Sequence, residues 1–160
     1  MKMLKAIVFM LLLFAMMYVV QEQVKMIVPV NHRLNPTLVK LQTIGINSEE
    51  IARSVDLASL QSGLSQNFLI ALMFTESAGN PKAVSSLGYN GLMQIPWPIF
   101  YSDANMITGA HIFNEKMILA GKDLEKAIIL YKGYKVGSER GLQQVRKVLR
   151  LCKRLSEVKV

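Results

Sequence analysis

Residues 65–96 read SQNFLIALMFTESAGNPKAVSSLGYNGLMQIP, and the character of the chain changes inside this stretch. From Phe68 to Phe74 every residue is apolar; Glu76 and Ser77 close the run, and Gly, Pro, Ser, Asn and Gln follow at once. Ser65 stands where a helix N-cap belongs, because its hydroxyl can accept from a backbone N–H of the first turn. Gly79 and Pro81 stop the helix at its other end. Leu69, Leu72, Met73 and Glu76 recur at helical spacing, so at about 100° per residue they share one face. Glu76 is therefore expected on the core-facing stripe. Desolvation there penalises the carboxylate, and the negative end of the helix dipole acts the same way in the last turn. Both effects favour a proton on Glu76, the state needed for general-acid cleavage of an acetal.

The helical pattern extends to both sides. Asn47 with Glu50 fits a capping box opening a helix through about Leu60, ended at Ser62 and Gly63. Ser102 or Asp103 starts a helix whose stripe Met106, Ile107, Ala110, Phe113 and Met117 runs up to Gly121. Asp123 caps LEKAIILYKG, ended by Gly133. Ser138 caps a last helix with Leu142, Val145, Leu149 and Cys152 on one face and Arg146, Lys147, Arg150, Lys153 and Arg154 mostly elsewhere. No alternating strand run is found. The predicted class is all-α, with at most a small hairpin between Ser85 and Phe100.

Ahead of this domain the composition differs. Ala6–Val20 is an uninterrupted apolar run behind Lys2 and Lys5, near the lower limit for a membrane span, and it has no polar face. A small-x-small cleavage pattern is missing after Tyr18, which favours an uncleaved N-terminal transmembrane anchor over a removed signal. Lysines on the cytoplasmic side put the rest of the chain across that membrane. The expected division is an anchor or uncleaved signal at 1–22, a linker or stalk at 23–46 containing Pro29 and Pro36, and one domain at 47–155. A chain of 160 residues has room for one ordinary core and this appendage.

Nineteen Lys and Arg against eleven acids give a formal charge of +8, which favours an anionic partner. The basic last helix has no aromatics interleaved among its charges, so no nucleic-acid partner is expected. Membrane lipid and acidic wall polymer remain. The single Cys152 excludes an intramolecular disulfide. His32 and His111 lack partners at metal-ligand spacing. Asp103 is the other acid nearest the 74–96 stretch and suits a helix cap; Glu115, Asp123 and Glu125 read as caps or solvated faces.

The run from Glu76 to Gln94 resembles the core motif of the soluble-lytic-transglycosylase (SLT) family, related to goose-type lysozyme. Glu76, Ser77, Ala83, Ser85, Gly88, Gly91, Leu92, Met93 and Gln94 meet its pattern without a gap. NMITGAHIF, with Asn105 and Gly109, and AIILYKG are similar to later family segments, and the resemblance covers about residues 47–155. It implies a lysozyme-like domain that cuts the β-1,4 bond between N-acetylmuramic acid and N-acetylglucosamine in peptidoglycan. The product would carry a 1,6-anhydro-muramic acid end. By the same resemblance Glu76 is the acid and then the base, Ser77, Ser85 and Gln94 bind sugar, Met93 lines the cleft, and Tyr131 faces the glutamate. No metal or organic cofactor is implied. Ordinary glycosidases need two carboxylates, but a substrate whose own hydroxyl is the nucleophile does not need the second.

Three features depart from the family pattern. Gly79 stands where an aromatic is common, so Tyr89 or Trp97 would have to supply a cleft wall. Lys132 replaces the usual asparagine after Tyr131, where it could alter sugar contacts or pair with an acidic group. The connection from Gln94 to Asn105 is short. Two rival functions remain: a hydrolytic lysozyme on the same fold, and a noncatalytic, anchored wall-binding or assembly protein of a secretion, conjugation or phage-entry machine.

Overall fold

An apolar run such as Phe68–Met73 is stable only when covered on all sides, and the computed structural model, which describes residues 35–159, covers it completely. Among the described residues there are six helices and no strand: α1 Pro36–Gln42, α2 Glu49–Ser62, α3 Gln66–Ser77, α4 Ser102–Leu119, α5 Leu124–Tyr131 and α6 Glu139–Ser156. The central α3 packs on α2 and α6, while α4 lies against α2 and α5. Rings connect α3, α4 and α5: Phe68 and Phe113 have centroids 4.7 Å apart, and Phe113 and Tyr131 5.8 Å apart. Full burial of a side chain such as Phe113 contributes about 1.5–3 kcal/mol.

Most helix starts are local signals obeyed by the fold. Ser65 Oγ accepts from the Phe68 amide at 3.3 Å, Asp123 Oδ1 from the Lys126 amide at 3.0 Å, and Ser138 Oγ from the Gly141 amide at 3.2 Å. The cap of α2 is Ser48, not Asn47: Ser48 Oγ accepts from the Ile51 amide at 3.2 Å, while Asn47 Oδ1 accepts from Gln42 Nε2. Of the two predicted starts for α4, Ser102 is its first residue, and no side chain caps it. Asp103, one residue in, accepts instead from the Ser54 hydroxyl and pairs with Arg53 at 3.4 Å, fastening α4 to α2. The buried face of α6 is Gly141, Val145, Val148 and Leu155, with Leu142, Leu149 and Cys152 at its edge.

The helix α1 lies inside the predicted linker. Asn35 caps it by accepting from the Thr37 and Leu38 amides, and Pro36 occupies the first turn, where no N–H is needed. Leu41 is fully buried and Ile46 joins the same core. Asp56 of α2 gathers the region, accepting from Thr37 Oγ1 at 2.6 Å, Gln66 Nε2 at 2.7 Å and Asn35 Nδ2 at 3.2 Å. Packing therefore begins ahead of residue 47. The predicted anchor lies outside the described residues, among which no helix is long and apolar enough to cross a membrane.

Between α3 and α4 the chain makes three short antiparallel passes joined by isolated bridges, Val84 to Asn90 and Asn90 to Ile95. This is the extent of the predicted hairpin. Asn90 is the middle pass and exchanges two backbone hydrogen bonds with Ile95, at 2.8 and 3.0 Å.

Candidate active site

Glu76 occupies the last turn of α3, one turn beyond the fully buried Leu72 and Met73, and only 15% of its side chain reaches solvent. The sequence placed it on the core-facing stripe, and it lies at the edge of that stripe. Burial pushes its carboxyl above the ordinary glutamate range. The Lys132 ammonium, 2.9 Å from Oε1, opposes this shift without cancelling it. Lys132 is thus the unusual feature of the site. Its Nζ also donates to the Thr75 carbonyl at 3.3 Å.

Tyr131 and Lys132 end α5 and reach two different elements. The Tyr131 hydroxyl donates to the Met93 carbonyl at 2.8 Å, and Lys132 holds Glu76. Burial raises the Tyr131 hydroxyl well above its usual range, and the Glu76 charge adds to the rise. These two successive residues therefore bring the 83–95 loop and the end of α3 to a common point. The Met93 side chain, for which a cleft-lining role is implied, is fully buried and packs against Gly109.

The polar residues of the loop are largely occupied in shaping it. Ser77 Oγ donates to the Met73 carbonyl and accepts from the Gly79 amide, finishing α3. Ser85 Oγ accepts from the Tyr89 amide at 3.0 Å, closing a tight turn. Gln94 holds a left-handed backbone, φ 48°, and its Nε2 donates to the Gly91 and Ala83 carbonyls at 2.9 and 3.3 Å. Both Ser85 and Gln94 stay half-buried, within reach of solvent. At Gly79 a Cβ would lie 2.4 Å from the Ile46 side chain, so an aromatic there would have to displace Ile46. Tyr89 and Trp97, the proposed substitutes, are 42% and 52% exposed.

One support of the loop is marked in the sequence only by the family-like segment that contains it. Asn105, nearly fully buried in α4, accepts from the Met93 amide at 2.8 Å and donates to the Asn90 and Ile99 carbonyls at 3.0 and 2.7 Å. It holds the loop from inside. The Asn-x-x-x-Gly spacing noted at 105 and 109 was the available signal: Asn105 ties the loop, and Gly109 makes room for Met93. Asp103 is engaged with α2, so it does not pair with Glu76. His111 is exposed, and no three His, Cys, Asp or Glu side chains gather among the described residues. His32 lies outside them.

No curated protein and no solved structure matches the chain. One family model does, described as Transglycosylase SLT domain and matched over residues 54–108, a stretch that contains Glu76, the loop and Asn105. Over residues 54–108 the chain is thus similar to the transglycosylase SLT domain, a likeness that implies lysozyme-like transglycosylase action on peptidoglycan.

Proposed function

We propose that the protein is a lytic transglycosylase that cuts the bond between N-acetylmuramic acid and N-acetylglucosamine and forms a 1,6-anhydro-muramic end. The supporting observation is the Glu76 carboxyl, largely withdrawn from water and disposed by burial to keep its proton. As an acid it would protonate the glycosidic oxygen while the C1–O bond breaks. As a carboxylate it would then take the proton of the muramic C6 hydroxyl, whose oxygen bonds to C1. The proton count closes on Glu76, and no water is consumed. Ser85 and Gln94 are the side chains proposed to touch sugar, with Tyr131 supporting the loop beneath them. The apolar run 6–20 would hold the domain at a membrane, on the wall side, where cuts stay local to a larger secretion, conjugation or phage machine.

The contact with Lys132 favours a second reading, a wall-binding protein whose acid is occupied by the lysine. Muropeptide mass spectrometry separates the possibilities. The transglycosylase should release ends one water lighter than those of a hydrolase, and Glu76→Gln should lower the rate roughly 10² to 10⁴-fold. Full-mass ends would mark a lysozyme. Intact murein, with Glu76→Gln unchanged in the cell, would establish the binding protein.

A further inference from the structure

Most lysines leave their ammonium in water, but Lys132 exposes only 5% of its side chain. Its Nζ lies between the Thr75 carbonyl at 3.3 Å and Glu76 Oε1 at 2.9 Å, both on the last turn of α3. A cation there is favoured by the carbonyl end of the helix dipole. Its own backbone is held in turn, because the preceding Tyr131 is tied through its hydroxyl to the Met93 carbonyl at 2.8 Å. The amine therefore has little freedom to leave the carboxylate for solvent. The match over residues 54–108 does not reach Lys132, and the resemblance has asparagine at this place, so nothing in the family reading assigns the contact a role.

Resting on the reading of Glu76 as the general acid, we propose that Lys132 is a positioning residue that fixes the Glu76 carboxylate and limits when that acid carries its proton. An ammonium against a carboxylate favours the ionised form, and burial favours the protonated one. The two act on the same oxygen. A site with asparagine there would keep its acid loaded more readily; this chain's acid is restrained until conditions or a bound glycan weaken the pair. Among the described residues the groups set against Glu76 are few: Lys132 and Tyr131 come from α5, the Tyr131 hydroxyl being occupied by Met93. Among the described residues no charged side chain of α2 or α6, which also pack on α3, makes a hydrogen bond or ion pair with it.

The sign of the effect follows. A general acid works only while protonated, so activity falls as pH rises through its titration. Removing the ammonium lets Glu76 keep its proton to higher pH, and the alkaline limb of kcat/KM moves upward. In the full chain, Lys132→Met and Lys132→Asn should each raise this limb by about one pH unit or more, while Lys132→Arg leaves it close to wild type. The Glu76 carboxyl, followed by ¹³C NMR, should titrate with the same displacement. In the wild type the Lys132 Nζ resonance should track the Glu76 titration and become flat in Glu76→Gln, a measurement that needs no Lys132 variant to fold. A Glu76 titration unmoved by Lys132→Met and Lys132→Asn, or a wild-type Nζ resonance blind to Glu76, overturns the proposal even if glycan is cleaved. Coupled titrations in a wild type that leaves glycan intact support the pairing and overturn the enzymatic reading alone.

Discussion

Glu76 and Lys132 lie against each other with little of either side chain in water. Removing one member of a buried pair leaves a charge without compensation and costs about 3–5 kcal/mol, whereas removing both can be nearly neutral. Lys132→Met should therefore lower stability by about that amount at neutral pH, and Glu76→Gln combined with Lys132→Met should recover a substantial part of it. Urea unfolding of the four proteins in a double-mutant cycle measures the coupling. The pH dependence has a definite sign. Because burial raises the Glu76 carboxyl in the fold, its contribution is fully present below the ordinary glutamate range and is lost as pH rises through the folded value. Lys132→Met raises that value further, so the loss in melting temperature should be larger at pH 8 than at pH 4. An equal loss at both would mean that the ammonium does not act through the carboxylate.

The connection between α3 and α4 is shaped by three side-chain constraints. Gly91 has φ 76°, and a Cβ there would lie 2.2 Å from Asn105 Nδ2. At Gly109 a Cβ would lie 2.3 Å from Met93 Cβ. Gly109→Ala should cost about 1–3 kcal/mol by overpacking, with Gly91→Ala costing more because strain in φ is added to the clash. Asn105→Ala leaves the buried Met93 amide and the Ile99 carbonyl without their partner, at roughly 1–3 kcal/mol for each group. Thermal unfolding checks all three, and glycan cleavage should fall with loop order although none of these residues is proposed to touch sugar. Such contacts explain what the sequence could and could not convey. Ser65, Asp123 and Ser138 were legible because a cap bonds to an amide within three residues. Asn47 reads as the cap of α2 where the structure has Ser48, since adjacent residues of cap type give nearly the same local signal. The helix α1 was passed over despite Asn35-Pro36, a good start signal, because seven residues carry too little period; Leu41 and Ile46 are understood only once the core they enter is known. The burial of Glu76 followed from spacing on one helix. Its pairing with Lys132 joins residues 56 apart, and no local pattern specifies that meeting.

Across the whole molecule, six of the nineteen lysines and arginines lie on one helix. The helix α6 carries Arg140, Arg146, Lys147, Arg150, Lys153 and Arg154 against one acid, Glu139. Stability gives little reason for this density in the middle of the helix. The Arg146–Glu139 pair, at 2.6 Å, has more than half of each side chain in solvent, and exposed pairs contribute about 0–1 kcal/mol. Lys153 and Arg154 are different, because cations in the last turn favour the helix dipole. The informative change is therefore Arg146→Gln with Lys147→Gln and Arg150→Gln, three exposed mid-helix positions where glutamine keeps comparable helix propensity. If these charges hold the protein on an anionic wall, the triple variant should unfold within about 1 kcal/mol of wild type yet sediment less with purified sacculi. Wild-type retention should fall as salt rises from about 0.1 M to 1 M, where the screening length contracts from about 10 Å to 3 Å, and the variant should respond less. Cleavage of short soluble glycan fragments should be unchanged, because the side chain paired with Glu76 is Lys132 and not a residue of α6. Equal sedimentation of variant and wild type at low salt would assign α6 the part of a solvated face and leave wall binding to the surface around Glu76.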